Sequence, residues 1–124
     1  MDLLDRAAGW LADKLRAYAS RSVTYARGSS AVAVDAVIGR TVFRIDKGYG
    51  LSERIEARDY LVHSTDLVLD ATVTLPQAGD RIEETAGGKL YTYEVMAPGG
   101  EPCWRFSDPY RKVLRIHTKL VATE

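Results

Sequence analysis

The sequence predicts a mainly β (α+β) fold, in which an N-terminal helix packs on a small antiparallel β-barrel or sandwich of about seven strands with a long protruding hairpin. Two observations support this prediction. Helical periodicity occurs only at the start of the chain, and the remainder alternates between apolar and polar residues, with turn residues at short intervals. Such short connections favour antiparallel neighbours. We expect one domain, residues 1–124, with a helix over 1–21 and the β-structure over 22–121.

The N-terminal helix is predicted from a single apolar stripe. Its residues recur at alternating spacings of four and three, which places them on one helix face: Leu4, Ala8, Leu11, Leu15 and Tyr18. Asp2 and Asp5 add negative charge at the helix N-terminus, where it is favourable. Trp10 lies off this stripe and is expected either at the edge of the core or in a contact with a neighbouring subunit.

A long hairpin is predicted over residues 40–62. Two strands, Thr41 to Asp46 and Glu53 to Val62, flank a polar loop tip over residues 46–50, and Gly39 before them suggests a bulge or a sharp bend. An aromatic residue at such a tip has no core to enter. We therefore expect Lys47, Tyr49 and Leu51 to contact a partner or a neighbouring subunit, although single exposed aromatics are also common.

A second, shorter hairpin is predicted around the stretch Pro76–Ile82. Gly79 and Asp80 are turn residues, and Gly87-Gly88 separates two runs of strand-forming residues. We expect Gly79 to adopt a positive φ in this tight turn, and to tolerate replacement less well than Gly99, which lies in the loop over 97–102. Ser64 is expected to cap a single helical turn that ends near Leu67.

Composition limits the function classes. The chain has 17 basic and 17 acidic side chains and no net charge, which argues against a dedicated binder of nucleic acid or anionic membranes. No apolar run is long enough to span a membrane, and the N-terminus lacks the features of a signal peptide. Cys103 is the only cysteine, so no internal disulfide is expected, and the chain is expected to fold in a reducing cytoplasm.

The sequence offers few residues for catalysis or metal binding. The candidate pairs of a nucleophile and a base are Cys103 with His117 or His63, and Ser64 with His63. No local motif activates them. The histidines and the cysteine lack the spacing of a metal site. Glu83 and Glu84 are adjacent in a strand and should point to opposite faces. We therefore expect no enzyme, no cofactor and no metal.

Basic residues are concentrated near the C-terminus, at Arg105, Arg111, Lys112, Arg115 and Lys119. Together with Trp104 and Tyr110 they could line a path for nucleic acid, such as a DNA channel. The alternative is a solvated edge strand, on which Lys and Arg discourage aggregation. The residues alone leave both interpretations open.

Several motifs along the chain resemble one known family. They are the segments Val23–Gly28 (VTYARG), Gly39–Phe43 (GRTVF), Asp59–Val62 (DYLV), Pro76–Ile82 (PQAGDRI), Tyr93–Val95 (YEV) and Arg115–Lys119 (RIHTK). In this order they resemble the head–tail joining, or head-completion, proteins of long-tailed phages and prophages. The resemblance implies a small β-barrel with flanking helical pieces and a structural role without catalytic residues.

The resemblance also implies partners and a location. Such proteins form a homo-oligomeric ring at the phage neck, between the portal or adaptor and the tail. If the basic residues near the C-terminus lined the channel of such a ring, they would make non-specific contacts with DNA. One alternative of the same class is a tail-completion or tail-terminator subunit. An alternative of a different class is an oligonucleotide-binding barrel, which would bind nucleic acid in a salt-dependent manner.

Overall fold

The computed structural model describes residues 20–124 and, before them, only Arg6 and Gly9, which are both helical. The helix predicted over 1–21 otherwise lies outside the described residues, as does Trp10, except that Arg21 already belongs to the first strand. In the described part of the chain, no helix is long and apolar enough to cross a lipid bilayer.

The described residues form nine strands and one short 3-10 turn. The strands are β1 (Arg21–Arg27), β2 (Ser30–Gly48), β3 (Leu51–His63), β4 (Val68–Leu69), β5 (Thr72–Val73), β6 (Arg81–Ala86), β7 (Lys89–Val95), β8 (Trp104–Phe106) and β9 (Val113–Thr123), and the 3-10 turn is Pro98–Gly100. Seven of them form one antiparallel sheet in the order β3-β2-β1-β6-β7-β9-β8, and a further pairing of β3 with β9 brings the sheet nearly into a closed ring. The predicted mainly β architecture is confirmed.

The core lies inside this ring and follows from the alternation of the strands. In β1, Val23 and Tyr25 are buried, and in β2, Val34 and Ala36 face them from the same side of the sheet. Ile82 of β6 and buried residues of β3, β7 and β9 complete the same cluster. Alternation of apolar and polar residues was therefore a correct guide to which side of each strand is buried.

The two predicted hairpins are both present, with turns set by positive φ angles. In the β6–β7 hairpin, Gly87 and Gly88 have φ of 58° and 77°, and a two-residue hairpin turn of this type requires two successive positive φ angles. Gly79, in the turn before β6, has a φ of 95°. For the β2–β3 hairpin, the prediction of a loop over residues 46–50 is wrong. The strands continue to Gly48 and resume at Leu51, so only Tyr49 and Gly50 form the turn.

Residues 40–58 of the β2–β3 hairpin are hereafter called the arm. Strand β1 accompanies β2 only as far as Ala36, and β9 accompanies β3 only over Arg58–His63. From Thr41 to Gly48 the two strands therefore pair only with each other. At about 3.3 Å per residue, this segment of eight residues is about 26 Å long. The predicted long hairpin is present.

Two further expectations, about Gly39 and about the turn at Ser64, are corrected. The register runs through Gly39 opposite Asp59 without a shift, so Gly39 is neither a bulge nor an interruption of β2. A Cβ at this glycine would lie 3.0 Å from Leu61 and 3.2 Å from the Arg115 guanidinium, so the missing side chain leaves room for Arg115. The segment 64–66 is a turn, not a helical one, and the Ser64 hydroxyl donates to the Arg111 carbonyl because this turn packs against the start of β9.

Candidate interaction site on the projecting arm

The tip of the arm presents apolar side chains directly to solvent. Tyr49 is fully exposed, and Leu51 beside it is 65% exposed. Tyr49 and Gly50 have φ of 53° and 75°, which is the two-residue turn that suits the twist of a hairpin. A positive φ is uncommon for a bulky residue and costs on the order of 1 kcal/mol or more. The isolated chain therefore holds an aromatic ring in an unfavourable conformation without burying it.

Polar contacts brace the strands immediately below the tip. The Lys47 ammonium lies 2.8 Å from a carboxylate oxygen of Glu53, across the hairpin, and the Asp46 carboxylate accepts a hydrogen bond from the Gly48 amide at 2.8 Å. Both partners of the ion pair are about half exposed, so its contribution to stability is small. The pair does restrict the geometry of the turn. Of the predicted contact residues, Tyr49 and Leu51 are thus presented freely, and Lys47 supports them.

The body of the protein holds one face of the arm in place. Phe43 packs edge-on against the His117 ring, with centroids 4.9 Å apart. Further out, Ile45 lies over the 3-10 turn, where a Cβ built on Gly99 would be only 2.2 Å from Ile45 Cδ1. The arm is therefore anchored along its inner face as far as Ile45, and only its last few residues extend beyond the body.

A buried carboxylate fixes the base of the arm. Asp59 is fully buried, and it accepts hydrogen bonds from the Thr41 hydroxyl, from Arg115 at 2.7 Å and from His117 Nδ1 at 2.9 Å. Burial by itself would raise the pKa of Asp59, but these hydrogen bonds, with that of His117 first, lower the pKa below its ordinary value. Thr41 belongs to the arm and Arg115 and His117 to β9, so this cluster ties the arm to the barrel.

A second buried carboxylate lies on β6. Glu84 accepts hydrogen bonds from Arg58 at 2.8 Å, from the Tyr60 hydroxyl at 2.7 Å and from Arg21 at 2.7 Å. Burial opposes ionisation, but the bonds from Arg58, Tyr60 and Arg21 outweigh it and lower the pKa of Glu84. Glu83 is exposed on the opposite face, as the alternation predicted. The sequence reasoning did not identify Asp59 or Glu84 as structural centres, because their cationic partners lie on other strands.

These lowered pKa values predict loss of stability in acid. Both carboxyl groups ionise more readily in the folded chain than in the unfolded one, whose carboxyl pKa is about 4. Their stabilising contribution is complete above that value and is lost as the pH falls through the lower folded pKa values. We expect the melting temperature to be nearly constant from neutral pH to about pH 5 and to fall steeply below about pH 4. Thermal melts followed by circular dichroism would check this, and a flat profile down to about pH 2.5 would contradict it.

A third cluster explains the stretch around Pro76. Asp80 is buried and accepts hydrogen bonds from the Tyr25 hydroxyl, from Arg27 and from the Gln77 amide at 3.0 Å. The Asp80 side chain therefore caps a nearby backbone amide of the turn. Burial, followed by the bond to Asp80, raises the pKa of Tyr25 far above its ordinary value. Among the described residues, no buried side-chain nitrogen or oxygen lacks a hydrogen-bond partner.

The basic residues near the C-terminus have different environments. The charge of Arg115 is paired with Asp59, and Arg105 lies opposite Arg115 in the β8–β9 register. Arg111 and Lys112 belong to the turn before β9, where the Arg111 guanidinium lies over the Phe106 ring. Lys119 is further along β9, opposite Glu94, and lines a groove of about 440 Å³ at the base of the arm. The structure thus brings Arg105 and Arg115 together and places Lys119 beside a carboxylate.

The candidate catalytic side chains are engaged elsewhere. The Cys103 thiol lies 3.7 Å from the Pro76 carbonyl oxygen, and burial raises its pKa, which disfavours the thiolate. The His117 ring is bonded to Asp59, and His63 Nδ1 to the Thr65 hydroxyl. Within residues 20–124, no group of three or more His, Cys, Asp or Glu side chains is placed to hold a metal ion.

The described residues thus combine buried polar clusters whose hydrogen bonds are satisfied with an anchored arm that ends in an exposed aromatic tip. The comparison with family models is specific: residues 1–124 match the model described as phage head-tail joining protein. The chain belongs to this family. Its role is structural, in virion assembly, which confirms both the family resemblance and the prediction that it is not an enzyme. A search of curated proteins found no match.

Proposed function

We propose that this protein forms a ring at the phage neck, between the portal or adaptor and the tail, and that the tip of the arm contacts a head or tail component. The observation that carries this proposal is the conformation of Tyr49, which is fully exposed at a φ of 53°. Strain of this kind is typical of functional positions and is otherwise selected against. A bound partner would bury the aromatic ring of Tyr49 and supply the apolar contacts that this side chain lacks in the isolated protein.

The shape of the molecule supports a ring. A ring of identical subunits needs two different patches on each subunit that meet around an axis. The arm and the barrel provide such different surfaces. Because the arm is anchored at Phe43 and Ile45, its tip is held in place before contact, which reduces the entropy lost on binding. Aromatic residues with well-placed neighbours are typical anchors of protein interfaces.

We further propose that the exposed Arg105 and Arg111, together with Lys112 and Lys119, face the DNA that passes through the ring. Arg115 contributes little to such a face, since its charge is paired with the buried Asp59. Contacts of this kind are made with phosphates and do not depend on sequence. Because the chain has no net charge, it is expected to bind DNA weakly in solution. In the ring, the geometry of the channel would hold the DNA next to these residues.

The test of the tip is the substitution Tyr49→Asn. Asparagine tolerates a positive φ, and Asn-Gly is a favoured pair for this two-residue turn, so the arm should keep its shape. We expect an unchanged or slightly higher melting temperature. In a phage whose only copy carries this variant, we expect filled heads and free tails, counted by electron microscopy, and a fall in plaque yield of about tenfold or more.

A matched control is Val73→Thr, which removes a similarly exposed apolar side chain from β5, away from the arm. It should leave joining unchanged. Normal joining by the Tyr49→Asn variant would overturn the assignment of the tip. Labelling of the protein in assembled particles at a position other than the neck would overturn the proposed location.

A further inference from the structure

The two faces of the arm differ in chemistry. Alternate residues of a strand point to opposite faces, and cross-strand partners share a face. The inner face carries Phe43, Ile45 and Ile55 and packs toward His117 and Gly99. The outer face carries the charged residues Arg40, Arg44, Asp46, Arg54, Glu56 and Arg58. At the base of the arm this face meets the body, where Arg58 donates to the buried Glu84, whereas Arg44 and Arg54, further out, are exposed to solvent.

A pair of like charges lies directly across the outer face. Arg44 is opposite Arg54 in the β2–β3 register. Side chains in such a position have Cβ atoms about 5 Å apart, and like charges there are destabilising. Among the described residues, Glu56 is the acid that forms ion pairs on this face, and it is shared between Arg40 at 3.3 Å and Arg54 at 3.8 Å. Arg44 forms no ion pair with any residue that the structure describes.

We propose that the Arg44–Arg54 pair binds a carboxylate on the surface of the head or tail protein that the arm contacts. This inference rests on the function proposed above and names the chemistry of the partner. Two guanidinium groups on neighbouring strands bring several N–H donors and two positive charges to one place, which suits the two oxygens of an aspartate or glutamate side chain. The unfavourable pairing in the isolated chain is relieved when the carboxylate is bound.

The charge pattern of the outer face favours a protein partner over nucleic acid. Asp46 and Glu56 lie on the same face, on either side of the arginine pair. An unbroken row of phosphates would be repelled by both carboxylates. A protein surface with an acidic residue flanked by basic or neutral ones is complementary to this face. The arginine pair also lies within a few residues of Tyr49, so one partner surface would cover both.

The test is the substitution Arg44→Glu, which converts the like-charged pair into an attractive Glu–Arg pair. The purified variant should melt at the same temperature as the wild type or higher, which separates its effect from misfolding. In an extract that contains filled heads and free tails but lacks this protein, the concentration needed for half-maximal joining should rise about tenfold or more. Lys89→Glu, at an exposed position on β7 opposite Ala86, is the matched control and should leave joining unchanged.

Several results would overturn the proposal. Joining by Arg44→Glu at the wild-type concentration would show that the pair binds no carboxylate. Loss of self-association in the purified variant, measured by sedimentation, would assign the pair to a second copy of this chain. Loss of binding to linear DNA in a gel shift would assign it to nucleic acid. Failure of the wild-type protein to restore joining would overturn the proposed function itself, a result that does not depend on Arg44.

Discussion

Replacement of Asp59 by alanine is expected to lower the free energy of unfolding by about 3 to 5 kcal/mol. The carboxylate is fully buried and accepts hydrogen bonds from Thr41, Arg115 and His117. Its removal leaves the buried His117 without this partner and the largely buried Arg115 guanidinium with only a long bond to the Thr41 hydroxyl, at 3.4 Å, and the cost of such poorly paired groups exceeds the value of the lost contacts. Urea unfolding followed by circular dichroism would measure the change.

A matched control is Asp35→Ala, which removes a solvent-exposed carboxylate from the part of β2 that pairs with β1. It should change stability by less than about 0.5 kcal/mol. Because Thr41 and His117 position the base of the arm, Asp59→Ala should also reduce head–tail joining at temperatures where the variant is still folded. Similar stabilities for the two variants would show that the Asp59 cluster is not a structural centre.

Replacement of Gly99 by valine is expected to destabilise the protein by about 2 to 5 kcal/mol, more than Gly79→Val. The sequence predicted the reverse order, since Gly79 lies in a tight turn and Gly99 in a loop. Both glycines have a positive φ, 95° at Gly79 and 56° at Gly99. The angle at Gly79 is the less favourable for an L-residue, but no atom lies within 4 Å of a Cβ there, so a side chain adds backbone strain without steric overlap. At Gly99 the new side chain would overlap Ile45.

A double-mutant cycle isolates that overlap. In an Ile45→Ala background, Gly99→Val should lose most of its excess cost over Gly79→Val, because the atoms that it would meet are gone. Measurement of all four unfolding free energies by urea titration would show a favourable coupling of about 1 kcal/mol or more. Strict additivity would mean that the 3-10 turn moves away from the arm, and that Ile45 does not anchor it.

Local patterns were sufficient for most of the fold. The alternation at Val23 and Tyr25, and at Val34 and Ala36, predicted which side chains are buried, since a strand presents every second residue to the same face. Gly87-Gly88 predicted its turn because only a few residue types adopt two successive positive φ angles. The exposure of Tyr49 was predicted by the absence of any core for it to enter. These features depend on neighbours in the sequence.

Contacts between distant segments could not be predicted. Arg115, which was predicted as part of a basic face, also crosses Gly39 to reach Asp59, 56 residues earlier in the chain. Ser64 was predicted as a helix cap, but its hydroxyl donates to the carbonyl of Arg111, 47 residues later. In both cases a polar side chain found a partner that only the closure of the sheet brings near.

The sequence by itself thus determined the strands, the hairpin turns, the projecting arm and the family, because alternation, turn chemistry and short motifs are properties of contiguous residues. The tertiary structure alone decided which charges are buried and which remain available. Asp59 and Glu84 are ionised inside the protein because strands far apart in the sequence supply their cations. Arg44 is left without an ion pair among the described residues because the register of the arm places it opposite Arg54. Strand register is set by the packing of the whole sheet, which no short segment specifies.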